Sequence, residues 1–170
     1  MGVNMKEHFL PLLIVMLLTI AAGVMGYKHF MPYTKHYLEN QVVGVVIGDV
    51  GVDVHVANTE ASREQGLSGV TELGAKEGLL MIFDKPDFYA IWMKEMNFPL
   101  DVIWIDNTFR IVDITESLQP DSYPSIFEPK EPARMALEVN ARFVATYHIK
   151  IGDIVRLNEA YIPKDLKKTQ

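Results

Sequence analysis

The hydrophobic pattern divides the chain into two unlike parts. Residues 9–27 read FLPLLIVMLLTIAAGVMGY, an apolar run without a single charge, and about 20 such residues cross the hydrocarbon core of a bilayer as a helix. A core helix of that character would need protein on every side, more than a chain of 170 residues can supply. The run therefore predicts a transmembrane helix. Residues 1–8 form a short flank before it, and 28–40 (KHFMPYTKHYLEN) form a juxtamembrane stem whose aromatic and basic groups suit the interface. A signal-peptide core is shorter, and Val24-Met25-Gly26 is only a passable cleavage site. The expectation is an uncleaved signal-anchor; the alternative is secretion after cleavage.

Beyond residue 40 the pattern changes to short β-branched runs broken by turn residues. Residues 41–47 and 52–57 flank Gly48-Asp49-Val50-Gly51 and read as a hairpin. Thr59 can cap a short helix over 60–65, with Gly66 to stop it. Residues 79–83 and 90–93 look like strands around a turn at 84–87. Residues 102–105 and 109–114 form a second hairpin around Asp106-Asn107, residue types that tolerate positive φ. Prolines and acidic residues mark 116–132 as a long loop. A strand follows at 136–139, then a helix over 141–147 capped by Asn140, a last strand at 154–157, and a polar tail over 161–170. The predicted fold is α+β and mainly β: a small curled sheet or partial β-barrel with one or two short helices, spanning 41–160 and preceded by the transmembrane helix.

Composition narrows the function more by exclusion than by indication. Hydrophobic residues at 49% and charged residues at 22% describe one ordinary folded domain. A net charge of −6 argues against nucleic acid as a partner, since phosphate binding draws on surplus Lys and Arg. The absence of cysteine removes disulfides, thiolate nucleophiles, iron–sulfur clusters and cysteine-bound zinc together. His29 and His36 belong to the stem, while His55 and His148 form no ligand spacing, so neither metal nor cofactor is expected. There is no Gly-x-Ser-x-Gly elbow, phosphate-binding glycine loop or internal repeat, and a monomer is expected. Lys6 precedes the apolar run and Lys28 and Lys35 follow it, so a strict positive-inside count would leave the domain in the cytoplasm.

Six pieces follow one another in order: Arg63-Glu64-Gln65-Gly66-Leu67, Gly78-Leu79-Leu80-Met81-Ile82-Phe83, Trp92-Met93-Lys94, Pro99-Leu100-Asp101-Val102, Leu137-Glu138-Val139-Asn140 and Gly152-Asp153. This series resembles the DUF192 (UPF0127) family over about residues 53–157. The resemblance implies an exported or membrane-tethered domain with a β-rich, barrel-like fold, hence a domain outside the cytoplasm, and it implies no activity. Ser68 and Val70 stand where the family has Met and Arg, Glu95-Met96 where it has Asn-Thr, and Arg142 where Gly is usual.

Within those pieces five residues are candidates for a ligand site: Arg63, Trp92, Lys94, Asp101 and Glu138. On an extended segment Trp92 and Lys94 share one face and Met93 takes the other, which sets a ring beside a cation and suits an anionic or sugar-like ligand. Asp101 sits after Pro99-Leu100 at a strand start, where a clamp on backbone N–H groups is the structural alternative. Glu138 interrupts an apolar run and faces either solvent or a cleft. If it met Asp101 across a cleft, the two carboxylates could do acid/base work. Two functions follow as expectations: a non-catalytic binding or assembly module for a small ligand or an envelope protein, or a carboxylate-dependent hydrolase or lyase acting on a cell-envelope or sugar-like substrate.

Overall fold

The computed structural model describes residues 42–158, 160 and 162–167. The predicted span at 9–27 and the stem with His29 and His36 lie outside them. Among the described residues no helix is long and apolar enough to cross a membrane.

The domain runs β1 (Val42–Ile47), β2 (Val50–Ala57), α1 (Glu60–Gln65), β3 (Glu77–Asp87), β4 (Ile91–Trp92), β5 (Leu100–Ile105), β6 (Ile111–Leu118), β7 (Ile126–Phe127), β8 (Ala133–Asn140), α2 (Phe143–Tyr147) and β9 (Val155–Leu157). Seven strands form one sheet in the order β6-β5-β8-β3-β2-β1-β9, while β4 and β7 pair separately. Among the described residues only the β2–β3 pairing is parallel. A parallel step needs a crossover, and residues 58–76 supply it with α1 at its start. The sheet curls until its edges meet: Ile111 N donates to Asp153 O (2.9 Å), Gly152 N to Ile111 O (2.8 Å) and Val155 N to Phe109 O (2.8 Å). Mainly β, curled and barrel-like, with two short helices, the domain has the architecture expected of its strand pattern.

Burial explains the contrast among strands. β1 alternates exposed and buried residues, as a strand with one wet face must. β5 is buried at every position, and β3 and β8 carry long buried runs, because both their faces are covered. Inside the curl lies one core, including Val45, Leu80, Ile103, Leu137 and Val139. Outside it, Leu79, Met81, Phe83, Leu100, Val102, Trp104 and Ala136 form a second core with Leu67, Ile91 and Met93. Gly78 allows β3 and β8 to approach: a Cβ there would lie 2.7 Å from the Glu138 carbonyl oxygen.

Several expectations change. The turn predicted at 84–87 is strand, because β3 continues to Asp87 beyond a register shift after Ile82. The first hairpin turns on Gly48-Asp49 alone, with Ile47 opposite Val50. In the second, Asp106 accepts from the Thr108 and Arg110 N–H groups, and Phe109 rather than Asn107 takes the positive φ. The predicted loop is largely ordered: β6 reaches Leu118, a single 3-10 turn covers Pro120–Ser122, and β7 pairs with β4. Asn140 does not cap α2. It ends β8 and donates to the Leu73 and Gly74 carbonyls, while Arg142, at φ 70°, precedes the helix. Ile162 and Leu166 of the predicted polar end are buried in the inner core.

Candidate functional site

α1 forms because Thr59 and Ser62 cap it reciprocally: Ser62 N donates to Thr59 Oγ1 (3.1 Å) and Thr59 N to Ser62 Oγ (2.9 Å). Gly66, at φ 52°, ends it. The helix buries none of its residues and lies along one side of a cavity of about 460 Å³ on the outer face of the sheet. Its Glu60, Arg63 and Glu64 contribute to that side. Met81 and Phe83 of β3 and the following Tyr89 contribute apolar wall, Ile91 and Trp92 of β4 with Ile126 of β7 line it as well, and Glu138 of β8 reaches it from the sheet.

Arg63 Nη1 donates to the Ile82 carbonyl (2.9 Å), and its guanidinium lies 5.5 Å from the centre of the Phe83 ring. Phe83 and Tyr89 stack at 3.6 Å, and the Tyr89 hydroxyl donates to Lys85 O (2.9 Å). Trp92 is 42% exposed. Tyr123 meets its ring edge-on at 6.3 Å, and Lys94 Nζ stands 5.8 Å from its centre. Met93 is buried on the opposite side of that segment.

Glu138 is the chemically unusual member. It is 3% exposed, its Oε2 has no hydrogen-bond partner, and none of the ion pairs among the described residues includes it. Leu79 and Val102 stand opposite it on the neighbouring strands. Burial alone pushes its carboxyl from 4.5 up to about 8, because an apolar surrounding disfavours the charged form. At neutral pH this side chain is mainly a carboxylic acid.

Asp101 lies elsewhere. It pairs in register with Val139, one position from Glu138, and adjacent strand positions point to opposite faces. Its side chain is fully buried toward the inner core, where Oδ1 accepts from Ser117 N (2.8 Å) and Oδ2 from Val144 N (3.0 Å). Asp101 thus supplies from another strand the cap that α2 lacks locally. Of the five candidates the structure gathers Arg63, Trp92 and Glu138 on one cavity, sets Lys94 beside Trp92 outside the lining, and turns Asp101 to the other side of the sheet. Among the described residues no group of three His, Cys, Asp or Glu could hold a metal ion. His55 is buried, and burial lowers its pKa against a smaller opposing effect of Glu77.

Pocket residues that sequence reasoning passed over include Glu60, Glu64, Phe83, Tyr89, Met96 and Ile126. Phe83 had a signal, since Leu79, Met81 and Phe83 share one face at period two. Ile126 had none, because its place depends on β7 finding β4.

The family model for DUF192, described as "Uncharacterized ACR", matches residues 43–157. The chain belongs to the DUF192 family. Two solved structures resemble this DUF192 domain. One, a protein of unknown function from Novosphingobium aromaticivorans DSM 12444, is 29% identical with a TM-score of 0.65, over 68% of this chain and 85% of that one. The other, a proposed transcription regulator from Sinorhizobium meliloti 1021, is 27% identical with a TM-score of 0.63, over 68% of this chain and 91% of that one. No curated protein matches.

The departures from the usual DUF192 motifs sort by their physical setting. Glu95 and Arg142 occupy left-handed backbone, at φ 56° and 70°, where the family's Asn and Gly fit with less strain. Val70 is buried in the outer core. Ser68 and Met96 line the cavity, and Ser68 Oγ donates to Lys94 O (2.8 Å). Two of the substituted positions therefore shape the lining itself.

Proposed function

We propose that this DUF192 domain is a non-catalytic module that binds a small ligand outside the cytoplasm, held at the membrane by an uncleaved anchor at residues 9–27. One observation carries the binding role: the buried, unpartnered carboxyl of Glu138 at a cavity of about 460 Å³ with aromatic walls. A polar group at that depth is ordinarily hydrogen-bonded, and leaving one open costs about 1–3 kcal/mol. A group kept open at such cost beside a cavity is available to a ligand. Trp92 and the outer side of Tyr89 offer ring faces suited to a sugar-like molecule, while Phe83 is covered by Tyr89 and Arg63. An anionic ligand is less well served, because Glu60 and Glu64 outnumber Arg63 in the lining. The hydrolase or lyase alternative depended on Asp101 working with Glu138, and the sheet stands between those carboxyls.

The anchor is supported by the uncharged run and the outward placement by the family resemblance. Full-length protein should remain with membranes after carbonate extraction, with the domain open to protease added from outside. Release of the full-length chain would defeat the anchor. Binding is tested by titrating labelled protein with glucose, N-acetylglucosamine and 2-phenylethanol and following backbone amide shifts. At least one probe should perturb residues around 60–68, 81–92 and 138, and Trp92→Ala should weaken that probe about tenfold with little loss of stability, since the ring is half-exposed. An unperturbed pocket, or shifts confined to another face, would remove the binding role.

A further inference from the structure

The charges around the cavity are lopsided. α1 brings Glu60, Arg63 and Glu64 to it, the segment after β3 brings Tyr89, and β8 brings Glu138, while β4 and β7 add only Ile91, Trp92 and Ile126. Across the strands Glu138 faces Leu79 and Val102. Among the described residues three acidic side chains, one of them the buried acid Glu138, thus share the lining with one cation, and that cation is already engaged by the Ile82 carbonyl and the Phe83 ring. Lys94 stands outside the lining beside Trp92. The one buried side-chain oxygen left without a partner in this cavity belongs to Glu138.

Resting on the small-ligand reading above, we infer that the cavity takes a molecule carrying a protonated primary amine, its ammonium paired with Glu138 and its apolar or ring portion against Trp92 and the Phe83–Tyr89 stack. An ammonium brings three donors and a positive charge to an oxygen that has neither partner nor counter-ion. Aromatic faces attract a cation as well. A neutral ligand meets only the hydrogen-bonding need, and an anion adds one more negative charge to an acidic lining. Pairing has a stoichiometric consequence: the carboxyl, which burial keeps protonated up to about pH 8, must release its proton to solvent as the ion pair forms.

Three probes of one shape separate the possibilities: 2-phenylethylamine, 2-phenylethanol and phenylacetate, titrated calorimetrically into the full-length protein in buffers of different ionisation enthalpy. The amine should bind at least tenfold more tightly than the alcohol, release about one proton near pH 6–7, and gain about tenfold in affinity per pH unit until a plateau above about 8, set by the raised carboxyl. Glu138→Gln should abolish the proton release and the pH dependence and bring amine and alcohol to similar affinities. Amine binding no tighter than alcohol, or binding without proton release, would overturn the amine specificity while leaving a small-ligand pocket in place. Failure of all three probes to bind would overturn the amine reading, and would overturn the small-ligand reading with it where glucose and N-acetylglucosamine also leave the pocket unperturbed.

Discussion

Glu138→Gln will remove a fall in stability that the wild-type protein undergoes between about pH 4.5 and 8. The native carboxyl titrates near 8 and the unfolded one near 4.5. Below 4.5 both states hold the proton, and the contribution is fully present. Between the two values the native state binds more protons than the unfolded state, so unfolding free energy declines as pH rises; above about 8 both are ionised and the curve flattens. A separation of this size corresponds to several kcal/mol, on the order of 1.4 kcal/mol for each pH unit crossed. His55 acts in the opposite sense, because its lowered pKa makes stability rise with pH until the ordinary histidine value is reached, above which it adds no slope. The measurement is therefore the difference between variant and wild type, in denaturant midpoints at pH 5, 6.5 and 8. His55 cancels in that difference. Identical slopes for the two proteins would show that Glu138 is not the buried acid described here.

Asp101→Ala should be the most damaging single substitution among the five candidates, destabilising the domain by about 3–5 kcal/mol. The carboxylate is fully buried and accepts from Ser117 and Val144 N–H groups on two different elements. Removing it leaves both donors unsatisfied, at about 1–3 kcal/mol each, and takes away an acceptor whose charge strengthened both bonds. Ser117 also holds a positive φ of 57°, a conformation that the bond to Asp101 helps retain. Asp101→Asn keeps one oxygen and should recover part of the loss. Because the side chain points away from the Glu138 cavity, Asp101→Asn should leave probe affinity there unchanged. Chemical denaturation and the pocket titration together decide the matter: a loss below about 1 kcal/mol would contradict the clamp, and altered probe affinity would contradict the separation by the sheet.

The motif residues thus divide into two roles that look alike in one dimension. Asp101 and Glu138 are both acidic residues in apolar, strand-forming surroundings, and the family pieces do not distinguish them. The register of β5 against β8 does, by setting Asp101 beside Val139 and Val102 beside Glu138. Lys94 and Trp92 were legible as neighbours because period two is a local property, whereas the engagement of Arg63 by Ile82, 19 positions away, was not. The continuous burial of β5 had a visible sign in LDVIWI, yet what covers its outer face comes from segments at 67–73 and 91–93 that local pattern leaves unassigned.

By itself the sequence determined the uncharged run at 9–27, the two hairpins, the capped start of α1, the mainly β class of the domain and, through six ordered motifs, its family. Each of these depends on interactions within a few residues or on composition, so no knowledge of folded neighbours is required. Tertiary structure alone decided that β3 runs through Pro86, that β7 joins β4, that Asp101 caps α2, and that Glu138 lies buried without a partner beside a cavity. Those outcomes depend on which strands pair and in what register. Chain distances of tens of residues separate the partners, and a slip of one position between β5 and β8 would have set Asp101 opposite Glu138 on the same face.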